Sequence, residues 1–385
     1  MKKFIPLCTP YLDGKEKEYL NDCIESTYVS TAGKYIELFE QNLKSITNSP
    51  FAIALNSGTS ALHLSLLAAG VKKNELVITT DYSFIATANS ITYCGAEPAL
   101  IDVNYDSFNI DFDLIEKFLQ DSCSLKNDDY FHNETGKRIS AIVPVLALGN
   151  IICPTKLRDF KTKFNIPIIL DAAAAIGGRA SSLEIGDFEF DFATFSFNGN
   201  KIITCGAGGA ILCKKTTDHE KIRHLAATSR MHPTYFHDEI GYNYRMANIN
   251  AAIGFSQLEK IEQLLCKKHE IYNFYRNNLQ SKNIIFYSEP PELISSKWIS
   301  GFMIENKSEE VILEFQKHMA KNNIGASSFW IPVSKQNAFL NCVRLLNGNS
   351  ESISKKFIAL PSSINIEKKE LMYIVNKINN FFKEK

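Results

Sequence analysis

The chain has 385 residues, 45% hydrophobic, 22% charged and 11% aromatic, an ordinary globular composition with ample apolar material for a core. Its 42 basic residues balance 42 acidic ones, so no global field draws nucleic acid or an anionic membrane toward it, and any phosphate must be captured locally. At this length one large domain and a smaller one are expected.

Across the first 215 residues short apolar runs alternate with helical patterns. Candidate strands are AIAL (52–55), LVITT (76–80), PALIDV (98–103), SAIVPVLAL (140–148), PIILD (167–171), FATFSF (192–197) and GAILC (209–213). Apolar periodicity of 3.6 residues predicts helices at 60–70, 113–120 and 157–164. Such alternation, with strands apolar on both faces, implies an α/β fold with a mostly parallel sheet covered by helices. The polar stretch 122–138 reads as a surface insertion. From Ala247 to about Leu279 the pattern is one long, nearly unbroken helix. Beyond it the runs NIIFYS, KWISGFMIEN and KKFIALP, with helices at 308–322 and 367–383, predict a smaller α+β domain. The division expected is 1–255 and 256–385.

Nine cysteines form no CxxC pair and no Cys/His group of metal-ligand spacing, as expected of reduced thiols in a cytoplasmic protein that holds no metal. The opening MKKFIPLCTPYLDGKE lacks an apolar core of signal-peptide length. The longest apolar stretch, at 139–149, is about half a membrane span, so no membrane segment is expected.

Four pieces of the large domain carry chemistry, each where a strand ends, the place at which open α/β sheets bind ligands. LNSGTSALHL (55–64) runs from a strand into a helix; Gly58 and Thr59 offer free N–H groups that can cradle a phosphate, although a Ser/Thr at this place also serves simply as a cap. Phe84 follows the second strand and can stack on a cofactor ring or fill core. Asp171 closes an apolar strand, where a carboxylate is costly unless it meets a cation or a donor; capping of the next segment is the alternative. Lys201, between FATFSF and CGAGGA, points to an interior cleft, where desolvation makes an amine easier to deprotonate; a solvated loop lysine is the plain alternative.

The order phosphate loop, aromatic, aspartate, lysine resembles the large domain of fold type I pyridoxal-phosphate enzymes. NSGTSALHL, YSFIATANS, CGAEPALIDV, LDAAAAIGG, FSFNGNKIIT and GYNYRMANINAAIGFSQLE resemble the DegT/StrS nucleotide-sugar aminotransferases over nearly the whole chain. The opening PYLDGKEKEYLNDCIE and SFNGNKIIT look most like the UDP-N-acetylbacillosamine transaminase and legionaminic-acid branch, with GDP-perosamine synthases as near neighbours. The resemblance implies pyridoxal 5'-phosphate as cofactor, Lys201 as its Schiff-base lysine and Asp171 as partner of the pyridine nitrogen. It implies Phe84 on the ring, and Gly58, Thr59 and Ser196 at the phosphate. Asn243 would reach the neighbouring subunit's cofactor, with Tyr244 and Arg245 at the shared entrance, so that a homodimer completes each site. Glutamate would be the donor and a UDP-linked 2-acetamido-4-keto-6-deoxyhexose the acceptor, for a surface polysaccharide. A GDP-perosamine-type reaction or 3-amination are alternatives, as is a cofactor-binding protein without turnover. A dehydratase of this fold carries histidine where this chain has Lys201.

Several positions depart from the family pattern. Ala174 stands where Gln, His or Glu is usual, Ala207 replaces the Glu of GEGG, and Leu146 replaces a histidine. Ser327 and Ser334 stand for the arginine and histidine of an RPxWxPxHxQ-like pattern, and Lys335 is expected to supply the missing charge to the substrate.

Overall fold

The structure, a computed structural model, describes residues 4–287 and 289–383. The last residue of the NIIFYS run, at 288, and the lysines at 2 and 3 lie outside them. The seven expected strands form as β1 (Phe51–Leu55), β2 (Leu76–Thr80), β3 (Glu97–Ile101), β4 (Ile139–Val143), β5 (Ile169–Asp171), β6 (Phe192–Ser196) and β7 (Gly209–Cys213). The run at 140–148 keeps strand geometry only as far as Val143, because Pro144 has no N–H to give the ladder.

β1 and β6 flank β7 antiparallel, β5 runs parallel to β6, and β2 runs parallel to β3 and β4. Single parallel bridges, Ile142 to Ile168 and Val145 to Asp171, join the two halves into one sheet of order β1-β7-β6-β5-β4-β2-β3. β7 is the antiparallel member. The period of two is visible in the packing: Ala52, Ala54, Leu76, Ile78, Leu170 and Leu212 enter one core cluster, while Ile53, Leu55, Val77, Ile169 and Ile211 enter another on the opposite face. The helix Gly58–Ala68 is buried from Ser60 to Leu66, as a helix without a polar face must be.

The single long helix expected over 247–279 is two, Asn248–Leu258 and Ile261–Asn278. Lys260 leaves the helical region at φ −121°, ψ 18°. The N-terminal segment is tied across this break: Gln257 donates to the carbonyl of Tyr11 at 3.0 Å, and the Lys260 ammonium pairs with Asp13 and Glu16. These long-range ties exploit a bend that helical periodicity does not register. The surface insertion at 122–138 carries a hairpin, Cys123–Lys126 with Asp129–His132. Its two turn residues, Asn127 and Asp128, both take positive φ, 50° and 67°, as a two-residue hairpin loop of this twist requires.

After the second helix the chain builds an antiparallel sheet from Ile284–Ile285, Gly301–Ile304, Ser327–Ser328 and Phe357–Ala359. The helices Glu309–Lys321 and Lys368–Lys383 cover it, around a separate core that includes Tyr275, Phe302, Phe315, Met319 and Ile374. Two segments cross the expected 255/256 division. Ile5 belongs to this second core and bridges Ile324, whereas Arg344–Leu345 extends the large sheet as a parallel strand beside β3.

Two buried aspartates at the ends of β2 and β3 hold that returning segment. Asp81 accepts the Ser334 N–H (2.7 Å) and hydroxyl (3.0 Å). Asp102 accepts N–H groups of Asn347 (2.9 Å), Gly348 (2.8 Å) and Ser350 (2.7 Å), as well as the Ser350 hydroxyl. It thereby caps the helix Asn349–Lys356 from another part of the chain. Asp102→Ala would strand these donors. A loss of about 2–4 kcal/mol is expected, read as a lowered denaturation midpoint with faster proteolysis within 337–350.

Candidate active site

A cavity of about 420 Å³ lies at the carboxyl end of the large sheet, closed by residues of the C-terminal part. Six expected site residues line it: Gly58, Thr59, Phe84, Asp171, Ser196 and Lys201.

The loop after β1 both caps the helix that follows and opens its start to the cavity. Ser57 is the cap, its hydroxyl accepting the Ser60 N–H at 3.0 Å. The next two residues, Gly58 and Thr59, begin the helix and face the cavity, where first-turn N–H groups have no intrahelical partner. The packing there leaves no room for side chains. A Cβ on Gly58 would sit 2.9 Å from that of Ser196, and one on Gly209 would come within 2.3 Å of the Ser57 backbone. Glycine at both places lets β6 and β7 approach the helix start closely.

Asp171 is 4% exposed. Its Oδ2 accepts the Thr87 hydroxyl at 2.7 Å and its Oδ1 the Ala173 N–H at 3.1 Å. Burial raises its pKa, against the pull of these donors and of Lys201. No salt bridge reaches it among the described residues. A buried carboxylate on the wall of a cavity, satisfied by hydrogen bonds yet lacking a paired cation, fits a protonated ring nitrogen. Phe84 is 60% exposed and lines the cavity, so it is available to a ligand rather than spent in core.

Lys201 sits in the turn after β6, its N–H bonded to the Asn198 carbonyl at 3.0 Å. Desolvation pushes its amine down to about 8, although Asp171 and Cys8 pull it upward. Its Nζ lies 3.7 Å from the centroid of the Trp298 ring. The groups thus fit pyridoxal phosphate: an amine of lowered proton affinity, a buried carboxylate, an exposed aromatic face and an anion-ready helix start.

The remaining expected residues are elsewhere. Asn243 is exposed, and its carbonyl accepts the Asn56 side chain at 3.2 Å. Tyr244 packs against Tyr242 and His63, and Arg245 bridges Leu55 through its backbone. The segment therefore runs along the outside of the phosphate-loop region without lining the cavity of its own chain. Lys335 is not brought to the cavity: it is exposed and pairs with Glu351 at 3.0 Å. Ser334 is buried on Asp81, not aimed at a ligand. Leu146, Ala174 and Ala207 do form cavity wall, which is apolar at those places.

Sequence reasoning missed Thr87, Trp298, Phe329 and Trp330, all on the cavity wall. Thr87 lies one helical turn after Phe84, which was a usable signal. The three aromatics come from more than 90 residues downstream of Lys201, and only Trp330, at the tryptophan place of the RPxWxPxHxQ-like pattern, had a motif to mark it.

The profile of the DegT/DnrJ/EryC1/StrS aminotransferase family matches residues 10–379. The chain belongs to this family. Among its relatives, GDP-perosamine synthase of Escherichia coli O157:H7 is 31% identical over 384 residues, covering 100% of both chains. UDP-4-amino-4,6-dideoxy-N-acetyl-beta-L-altrosamine transaminase of Campylobacter jejuni serotype O:2 is 34% identical over 67% of this chain and 65% of its own. Helicobacter pylori PseC, an aminotransferase involved in the biosynthesis of pseudoaminic acid, superposes with TM-score 0.88 at 24% identity, over 100% of both chains. The PLP form of Spr1654 from Streptococcus pneumoniae superposes at 0.85, with 23% identity and 99% of each chain covered. The expected fold type I architecture is thus the observed one, and the chain is a PLP-dependent nucleotide-sugar aminotransferase. Among the described residues no helix is long and apolar enough to cross a membrane.

The titration of Lys201 has a consequence for stability. A folded-state value near 8, below the 10.5 of a free lysine, means that folding penalises the charged amine. The penalty is fully present below pH 8 and fades as pH rises toward 10.5. Lys201→Met should therefore stabilise the cofactor-free protein at pH 7 by about 2 kcal/mol. The gain should shrink between pH 8 and 10.5 in thermal denaturation; a gain independent of pH would contradict the shift.

Proposed function

We propose that the enzyme transfers the amino group of glutamate to C4 of a nucleotide-linked 4-keto-6-deoxyhexose, with Lys201 as the lysine that carries the cofactor. One observation carries the reading: Lys201 and Asp171 share a cavity in which burial lowers the amine's proton affinity and raises the carboxylate's. Pyridoxal phosphate, when bound, supplies the electron sink. Asp171 keeps the ring nitrogen protonated, with Thr87 and the Ala173 N–H holding its carboxylate in place. The first-turn N–H groups at Gly58 and Thr59, with the Ser196 hydroxyl, receive the phosphate at a helix start. Phe84 covers the ring. Lys201, once released, takes a proton from the donor's Cα and later returns one to the sugar carbon, a task suited to a base of proton affinity near ambient pH.

The relatives support a choice of nucleotide. Those matched end to end include GDP-perosamine synthases of Escherichia coli and Vibrio cholerae, at 31% and 30% identity. The UDP-sugar transaminase matches two thirds of the chain. This favours a GDP-linked acceptor over the UDP-linked one expected from the N-terminal segment. With glutamate and a panel of keto-sugar nucleotides read by mass spectrometry, GDP-4-keto-6-deoxymannose should exceed the UDP-linked 2-acetamido sugar in kcat/KM by about tenfold or more, some 1.4 kcal/mol of discrimination. The reverse order would restore the UDP reading, and no product from any sugar would leave a cofactor-binding protein without turnover.

The site is completed, in this proposal, by a second copy whose 241–245 segment brings Asn243 to the cofactor phosphate and Tyr244 and Arg245 to the entrance. Support comes from the exposure of Asn243 beside Asn56, next to the phosphate loop but outside its own cavity. Lys201→Ala and Asn243→Ala chains, each impaired alone, should regain activity when mixed, since one site of the mixed dimer collects both lesions and the other neither. Absence of rescue despite verified subunit exchange would confine the segment to its own chain.

A further inference from the structure

Trp298 is 3% exposed and belongs to the segment that leads into the smaller sheet, yet its closest functional neighbour is the amine of Lys201. The Lys201 Nζ lies 3.7 Å from the indole centroid, well inside the range of a cation–π contact. The indole N–H donates to the carbonyl of Asn200 at 2.6 Å, the peptide unit that leads directly into Lys201. One side chain therefore contacts both the head of the lysine and the backbone that carries it.

We propose that Trp298 is a positioning residue for Lys201: its ring face is the resting platform of the ammonium whenever the lysine is not bonded to the cofactor. This rests on the reading of Lys201 given above. Transamination requires such states, because the lysine is free while the amino group resides on the cofactor. A four-carbon side chain released into a cavity of some 420 Å³ would otherwise sample many rotamers and lose its aim. Among the described residues no salt bridge holds it, so the ring is the stabilising group in contact with it.

The platform is itself fixed. The Trp298 carbonyl accepts the Lys268 ammonium at 3.0 Å, which also donates to the Ser362 carbonyl at 2.5 Å. Lys268 Nζ lies 3.9 Å from Cys8 Sγ, and the Cys8 thiol donates to the same Asn200 carbonyl at 3.2 Å. Lys268, 1% exposed, thus ties the backbone that carries the indole to the Ser362 carbonyl and to Cys8. The charged and titratable groups around Lys201 are Asp171 from β5 and Cys8 from the N-terminal segment, both favouring the ammonium, with Lys268 behind Cys8. The platform adds to these an attraction that acts only on the charged form.

The test reads Lys201 itself rather than turnover. Full-length enzyme loaded with pyridoxamine phosphate, which leaves Lys201 free, is labelled with trace acetic anhydride from pH 6 to 10, and the Lys201 peptide is quantified by mass spectrometry. Trp298→Leu should lower the labelling midpoint by about one unit, a tenfold loss of proton affinity. Trp298→Phe keeps a ring face and should lower it by less than half as much. If Trp298→Leu does not fold, Trp298→Met takes its place. A midpoint in the ringless variant equal to or above that of the parent would overturn the proposal, since the indole would then merely exclude water. Equal shifts in the Phe and ringless variants would overturn it too, assigning the effect to the lost Asn200 bond. Borohydride reduction of the pyridoxal-phosphate form separates the two readings: cofactor fixed to a lysine other than Lys201 would remove the catalytic assignment, whatever the labelling midpoints show.

Discussion

Burial acts on two groups of opposite charge in the cavity and draws their proton affinities together. Desolvation disfavours any ionised form, so it raises the Asp171 carboxyl and lowers the Lys201 amine. A direct ion pair would relieve both, but among the described residues none joins them. Instead Asp171 is held by Thr87 and the Ala173 N–H, and Lys201 by an indole face. The cavity that both groups line also reaches the open N–H groups of a helix start. Its electrostatics are therefore those of a receptacle for a ligand that is cationic at the Asp171 end and anionic at the loop after β1, the charge pattern of a protonated pyridine bearing a phosphate.

This arrangement costs stability, and the rest of the fold has to carry it. A sheet buried on both faces provides the rigid floor, with alternate residues of each strand committed to opposite cores. Glycines at 58 and 209 let the floor and the helix start come together more closely than any side chain would permit. From the other side, Asp81 and Asp102 hold the chain that returns over the sheet. That returning chain includes Phe329 and Trp330, so the grip on Ser334 also sets one wall of the cavity. Ser334, at the place where the resemblance set a histidine, serves here as a structural donor to Asp81.

What the sequence disclosed and what it hid follow from the range of the interactions. The seven strands were legible because each buries both faces and so appears as a short apolar run. Lys201, Asp171, Gly58 and Phe84 were legible because they sit where such runs end. The break at Lys260 was not, since the helical periodicity continues through it and the ties to Asp13 and Glu16 span more than 240 residues. Arg344–Leu345 escaped notice because a two-residue strand has no periodicity to read. Trp298 was visible only as one aromatic in a strand-like run, and its closeness to Lys201 is created by tertiary packing across nearly 100 residues.

The apolar replacements acquire a different meaning once their surroundings are known. Leu146, Ala174 and Ala207 face the cavity, where polar side chains were expected to meet ligand. The backbone at Ala174 is nevertheless satisfied, its carbonyl accepting the Ser296 hydroxyl at 2.7 Å. Ser296 lies two residues before Trp298, so a single segment both seals this wall and brings the indole under Lys201. A polar side chain at these wall positions would need a partner or pay for its desolvation, whereas the present wall needs none. The side chains at these three positions contribute shape and dryness, which strengthen the field acting on Lys201 and Asp171. In the proposed function, selection among sugar nucleotides falls to polar groups at other places, and the 241–245 segment, exposed at Asn243 and Arg245, carries an amide, two phenols and a guanidinium within five residues.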